Sequence, residues 1–269
     1  METQFADTLI LSDVHLGSEV SRARSAVRLL KQHVFRRLIL LGDIFCDLNF
    51  HRLKKDHWQF LSHIRKLSNP KREIEVVWVE GNHDRGLTDV MAHLVGVRVY
   101  QEYAWEFDGL RHLAIHGHQF DRFLMNNALV SRLGASAYLH LLKLKFRQKP
   151  LAHFLDGLNT RWLRLTAKVS SGALAQARAR GFDRVFCGHT HVAAREESGG
   201  VAYYNSGCWT GDTATYITID HEGAHIHEYL EPADHRDPGQ ERGEADWALA
   251  DFPDDAGLPA DAEYERVGG

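Results

Sequence analysis

Short apolar runs in this chain repeatedly end in clusters of acid, imidazole or amide side chains, and no other feature limits the fold as tightly. Thr8–Ser12 runs into Asp13-Val14-His15, and Arg37–Leu41 into Gly42-Asp43. Glu75–Val79 precedes Gly81-Asn82-His83-Asp84, and Leu110–Ile115 precedes His116-Gly117-His118. Val185–Cys187 ends in Gly188-His189-Thr190-His191. Such short apolar runs, bounded by turn-forming residues, read as buried strands. In an α/β sheet, polar groups gather beyond the carboxyl ends of the strands, where loops converge without breaking the ladder. The chain is therefore expected to bring all five clusters to one place.

The segments between the runs support this arrangement. Ser25–Phe35 has helical spacing, and Asp56–Leu67 is an amphipathic helix stopped by Asn69-Pro70. Strand, loop, helix and strand thus alternate with short connections, the pattern of an α/β fold with a largely parallel sheet. Val97–Phe107 and Leu110–His116 form an expected hairpin through Asp108-Gly109, a favoured turn dipeptide. Gln119 to about Arg180 reads as helical throughout. Val201–Asn205 and Ala214–Asp220 are expected to complete a second, more antiparallel sheet, with helices outside both sheets.

Composition matters here for what it says about ligands. The chain has 18 histidines and only 3 cysteines. The five clusters combine carboxylates, imidazoles and one amide, a donor set that suits Mn²⁺, Fe²⁺ or Zn²⁺ rather than thiolate-seeking ions. On an extended segment, D-x-H and H-x-H spacing points both side chains the same way, so one pair can grip an ion. An odd number of cysteines without paired spacing argues against a disulfide framework and for a reducing compartment. Met1–Ala6 has no basic export region. No stretch approaches the roughly 20 apolar residues of a membrane span. A cytoplasmic protein, at most peripheral to the inner face of a membrane, is the expectation.

Taken in order, D-x-H, G-D, G-N-H-D, H-G-H and G-H-x-H resemble the motifs of the calcineurin-like metallophosphoesterases, over roughly residues 8–220. The resemblance implies a four-layer αββα sandwich and two divalent ions. One would be held by Asp13, His15, Asp43 and His191, and the second by Asp43, Asn82, His116 and His189, with Asp43 shared. Two ions about 3.5–4 Å apart lower the pKa of a shared water and clamp both oxygens of an in-line displacement. The hydroxide between them is the expected nucleophile. His83 is expected beside the phosphoryl group, stabilising or protonating the leaving oxygen. Asp84 is expected to orient the His83 ring. A non-catalytic scaffold would have lost some of these residues, and none is missing.

Residues 1–230 are expected to form the catalytic domain, with 119–180 as an inserted helical cap. The cap sequence holds 11 Lys/Arg against 2 acids, interleaved with apolar residues at helical spacing. A basic amphipathic cap can rest on an anionic membrane surface and take up acyl chains. Nucleic acid is disfavoured as a substrate because the basic residues lie in this apolar-striped segment rather than on a continuous face with stacking aromatics. The cap and the segment Tyr203–Trp209 resemble the UDP-2,3-diacylglucosamine pyrophosphatase group, which implies a nucleotide-linked lipid substrate of the lipid A type. Departures are His83, where that group has Arg, and His118, where it has Asp. The alternative is a phosphodiesterase or phosphatase that uses the same centre on another nucleotide or on a nucleic acid. Segment 231–269 carries 12 acids and 3 Arg and is rich in Pro, Gly and Ala. It reads as a disordered tail.

Overall fold

Alternation of side chains along the strands determines the layering. The computed structural model describes residues 4–121, 152–211 and 213–231. In β1 (Gln4–Leu11), Leu9 and Leu11 face one side of a sheet and Ile10 the other. β2 (His33–Leu41) adds Leu38 and Leu40 to the first side, and Ile39 and Leu41 to the second. β3 (Glu75–Val79) does the same with Trp78 against Val77 and Val79. The first side is covered by α1 (Ala23–Gln32), α2 (Lys55–Leu67) and α3 (Thr88–Leu94), through residues such as Leu29, Phe60 and Met91. The second side meets another sheet, which contributes Trp105, Ala114, Phe186 and Tyr204. The outer face of that sheet packs Leu113, Val185 and Tyr203 on Val169, Ala173 and Ala177 of α4 (Ala152–Ala179). The layers are helix, sheet, sheet, helix. Each fully buried Leu or Ile in these seams adds roughly 1.5–3 kcal/mol.

The first sheet has the order β11-β10-β1-β2-β3-β4, with β4 at Val99–Tyr100, β10 at Ala214–Asp220 and β11 at Gly223–Tyr229. Its strands β1 to β4 are parallel, and β10 and β11 join antiparallel. The second sheet has the order β5-β6-β7-β9-β8: β5 Glu102–Phe107, β6 Leu110–Ile115, β7 Arg184–Cys187, β8 Ala194–Ser198 and β9 Val201–Asn205. Here β6, β7 and β9 are parallel, and the edge strands β5 and β8 are antiparallel to their neighbours. The loops leaving β1, β2, β3, β6 and β7 carry the five polar clusters.

Four expectations change. The helix expected over Ser25–Phe35 stops at Gln32, and His33-Val34-Phe35 begin β2, where a β-branched and an aromatic residue suit a strand. The run Val97–Phe107 divides at Gln101: β4 belongs to the first sheet and β5 to the second. Ala214–Asp220 pairs with β1, Thr8 opposite Ile219, and so returns to the first sheet instead of extending the second. Of the expected cap, residues 122–151 lie outside the described residues, as does the acidic segment 232–269. The end of the expected cap is no cap: Val169, Ala173 and Ala177 of α4 are buried on the second sheet as its outer layer. The hairpin of β5 and β6 turns at Asp108-Gly109 as expected, both with positive φ.

His112 on β6 is fully buried between Trp105 and Phe186, its ring centroid 5.0 and 5.9 Å from theirs. Burial, reinforced by the charge of Arg184, lowers its pKa to about 4. The unfolded chain takes up this proton near pH 6.5 and the folded chain does not, so the contribution is fully present above 6.5 and is lost as pH falls towards 4. The loss is on the order of 3 kcal/mol. Urea unfolding of the wild type at pH 8 and 4.5 should show a drop at least this large, because other buried histidines such as His15 add to it. In His112→Leu the drop should be smaller by about 3 kcal/mol. An equal drop in both proteins would mean that His112 is not its source.

Candidate metal centre

Beyond the ends of β1 and β2 the two chains stay paired without regular strand geometry. Asp13 N–H donates to the Gly42 carbonyl (3.0 Å), His15 N–H to Asp43 (3.1 Å) and Leu16 N–H to Ile44 (2.7 Å). Gly188 N–H reaches the His116 carbonyl (3.1 Å), and Trp209 N–H that of Asp13 (3.0 Å). The loops of both sheets are thereby laced edge to edge.

The motif residues are not extended, as their spacing suggested. Among the described residues, seven non-glycine residues have left-handed φ, and five of them are Asp13, His15, Asp43, His189 and His191. This conformation costs an L-residue about 1–2 kcal/mol, least for short polar side chains, and concentrates at functional sites. Alternate left-handed residues, rather than strand pleat, put the D-x-H and H-x-H side chains on one side.

Two groups of side chains result. Asp13, His15 and His191 form one, and Asp43, His116 and His189 the other; within each, candidate ligand atoms all lie within 4.8 Å of one another. The two acids are set in the same way. Asp13 Oδ2 accepts the His189 N–H (3.0 Å), which leaves Oδ1 facing His191 Nε2 (3.1 Å), His116 Nε2 (3.5 Å) and His15 Nε2 (3.8 Å). Asp43 Oδ1 accepts the His83 N–H (2.8 Å), which leaves Oδ2 facing His116 Nε2 (3.7 Å) and His83 Nε2 (3.9 Å). Asn82 directly precedes His83 in the loop after β3, and its Oδ1 is buried with no hydrogen-bond partner among the described residues.

Electrostatics makes the carboxylates anionic and divides the imidazoles. Burial pushes Asp43 up, but His116 and His83 outweigh it and hold the carboxyl at about 2. Asp13, likewise buried, is held well below the usual range by His191 and His116. Burial takes His15 down to about 3 with help from His191, and it also lowers His189. His191 is buried too, yet Asp13 raises it to about 9. His116, buried as well, is raised by Asp43 and Asp13. Anionic carboxylates, two imidazoles kept neutral by burial, two whose protons a cation would displace, and an unpartnered buried amide oxygen form a donor set that fits divalent cations.

Two glycines make the packing feasible. A Cβ on Gly81 would overlap the backbone nitrogen and Oδ1 of Asp43, and one on Gly42 the ring of His116. Overpacking of this kind typically costs about 1–3 kcal/mol. Gly81→Ala is expected to displace Asp43, weaken metal binding and lower activity at least about tenfold. Metal content by mass spectrometry checks this, and an unchanged content would show that the loop adapts.

His83 points into the centre, its ring 5.3 Å from His15. Its Nδ1 lies 2.7 Å from the Cys46 carbonyl, so Nδ1 carries a proton and Nε2 faces the site. Asp84 does not orient this ring, contrary to expectation. Fully buried, it accepts the Ile44 N–H (3.1 Å) and Phe45 N–H (2.9 Å), with Trp78 Nε1 at 3.4 Å. Its task is to hold the loop behind Asp43. Burial and the Asp43 charge raise its carboxyl to about 7.

Other contributors had little sequence signal. His57 Nδ1 accepts the N–H groups of Gly17 (3.2 Å) and Lys54 (3.1 Å), tying the D-x-H loop to the start of α2. Asn205 Nδ2 reaches the Gly188 carbonyl (2.7 Å) and Thr190 Oγ1 (3.1 Å), bracing the G-H-x-H loop. Asn205 stands in a segment the sequence singled out, without a role. Trp209 is fully buried and packs on Tyr229 rather than lining a cleft.

Residues 7–223 match the family model described as the calcineurin-like phosphoesterase superfamily domain. No curated protein matches the chain significantly. Among solved structures, an archaeal phosphodiesterase is similar, with 15% identity, 82% of this chain and 98% of that chain covered, and a TM-score of 0.47. Yfce, a phosphoesterase from E. coli, has 16% identity, 80% and 88% coverage, and a TM-score of 0.46. Vps29 from Chaetomium thermophilum has 12% identity, 84% and 98% coverage, and a TM-score of 0.43. The chain belongs to the calcineurin-like phosphoesterase superfamily.

Proposed function

We propose that this metal-dependent phosphohydrolase cleaves the diphosphate of a nucleotide-linked lipid, of the UDP-2,3-diacylglucosamine kind, with Mn²⁺ as the working ion. Phosphohydrolase chemistry follows from the family. The observation that carries the rest is the adjacency of two ligand clusters, with His83 beside them. Asp13, His15, Asp43 and His191 would hold one ion, and Asp43, Asn82, His116 and His189 the other. Together the ions would activate a water and neutralise charge on the phosphoryl oxygens. Asp43 fixes the His83 backbone through Oδ1, and the Cys46 carbonyl fixes its ring. His83 Nε2 can then hold a proton for the departing oxygen.

Support for an apolar substrate comes from two places. Leu48 and Val192 are 42% and 47% exposed, and they sit in the loops that carry Cys46 and His191. The sequence of 122–151 is basic and rich in Leu, with 6 Lys/Arg and no acid, a composition suited to an anionic membrane surface. Among the described residues no helix is long and apolar enough to cross a membrane. The three cysteines are free, which fits a reducing cytoplasm.

The test is Mn²⁺-dependent hydrolysis of UDP-2,3-diacylglucosamine by the purified chain, with UMP followed by mass spectrometry. Bis(p-nitrophenyl) phosphate and UDP-glucose run alongside. Preferential turnover of the lipid supports the assignment. Turnover of the aryl diester or UDP-glucose alone would overturn the lipid and leave the phosphohydrolase.

A further inference from the structure

The short turn that follows His116 stands against both imidazoles of the second cluster. His116 is fully buried, with Nε2 directed at Asp13 and Asp43. Its other nitrogen, Nδ1, lies 3.2 Å from Nδ1 of His118. An imidazole that gives its Nε2 lone pair to a cation carries its proton on Nδ1. At this distance His118 Nδ1 receives that proton, and His118 keeps its own proton on Nε2. Three residues further on, Asp121 Oδ2 stands 3.8 Å from Nε2 of His189, beyond hydrogen-bond length but within reach of charge attraction, with side-chain exposures of 8% and 5%. Attraction to the Asp121 carboxylate favours the proton on Nε2, which leaves the Nδ1 lone pair for a cation.

The turn itself is anchored. Gly117 has φ 105°, and a Cβ there would come within 2.9 Å of Val169 Cγ1 on α4. The Phe120 ring packs so closely on Gly172 of α4 that a Cβ on that glycine would approach Phe120 Cδ1 to 2.5 Å. His118–Phe120 is therefore a single helical turn wedged between α4 and the centre. In the other cluster, His15 Nδ1 is buried with no hydrogen-bond partner among the described residues.

We infer that His118 and Asp121 are positioning residues for one of the two ions, fixing the tautomer and tilt of His116 and His189. The inference rests on the reading of Asp43, His116 and His189 as a metal site. Outer partners of this kind typically change metal affinity or activity by about 10–100-fold.

The experiment uses the full chain, stripped of metal and titrated with Mn²⁺ by equilibrium dialysis and electron paramagnetic resonance. Two bound ions with an exchange-coupled signal in the wild type would establish the two sites. His118→Leu and Asp121→Leu should then each weaken one ion about 10–100-fold, leave the other at its wild-type affinity, and replace the coupled signal by that of an isolated ion. His118→Gln and Asp121→Asn, which keep an acceptor oxygen, should recover most of the lost affinity. Metal-free thermal unfolding of these two amide variants should match the wild type. Equal weakening of both ions, unchanged binding, or amide variants no better than leucine would overturn the inference. A wild type that binds fewer than two ions would instead overturn the reading of the clusters, and this inference with it.

Discussion

Asn in place of Asp43 is expected to lower kcat/KM by about a thousandfold or more and to strip the protein of metal. The substitution is unusually clean. Asp43 sits at φ 49°, a region Asn enters at least as readily as Asp, so the backbone has no reason to move. The amide oxygen can still accept the His83 N–H that Oδ1 now accepts. What changes is the other atom, which faces His116 and His83 and would become an NH₂ group. An NH₂ group cannot hold a cation. It also removes the anion that the neighbouring imidazoles hold ionised down to about 2. Metal ions supply several kcal/mol of transition-state charge stabilisation, and about 4 kcal/mol corresponds to the thousandfold loss. The measurement is Mn²⁺-dependent hydrolysis of an aryl phosphodiester, with metal content by mass spectrometry on the same samples. Activity within tenfold of wild type at full metal content would mean that Asp43 is not shared between two ions.

Asp43 also marks the limit of what sequence could reveal. Its motif, Gly42-Asp43 after an apolar run, was legible because strand ends and glycines are local features. Layering was legible for the same reason: Leu38-Ile39-Leu40-Leu41 can bury both faces only as a central strand. Which sheet a strand joins was not legible. Ala214–Asp220 alternates Tyr216 with Ile217 and would suit either sheet, and only its pairing with β1 decides. The left-handed backbone at Asp13 and His191 was hidden too, since D-x-H spacing reads equally well as extended chain.

Roles that span long separations were the hardest to read. Asp84 follows His83 directly and was read as its partner, yet both carboxylate oxygens go to backbone N–H groups about forty residues earlier. The true partner of the His83 ring is a main-chain carbonyl at Cys46, and a carbonyl leaves no mark in a sequence. Asp121 had a weak signal, an acid five residues after His116 in an otherwise basic stretch. Its place against His189, 68 residues later, depends on the turn at Gly117 and on α4 behind it.

His83→Ala should cost about 10²–10⁴-fold in activity while leaving both ions bound, and the size of the loss should depend on the leaving group. The ring belongs to neither ligand cluster. Its Nδ1 proton is committed to the Cys46 carbonyl, so whatever it does to substrate it does through Nε2. If Nε2 protonates the departing oxygen, a poor leaving group such as an alkoxide needs it far more than p-nitrophenolate does, which leaves readily without a proton. The variant should then lose the full 10²–10⁴-fold with an alkyl phosphodiester and tenfold or less with the p-nitrophenyl ester. If Nε2 instead donates to a phosphoryl oxygen, stabilising charge common to both reactions, the two losses should be equal. A leaving-group-dependent loss at unchanged metal content would therefore assign the proton to His83. An equal loss would move His83 from acid catalyst to phosphoryl anchor and leave the leaving oxygen to the ions.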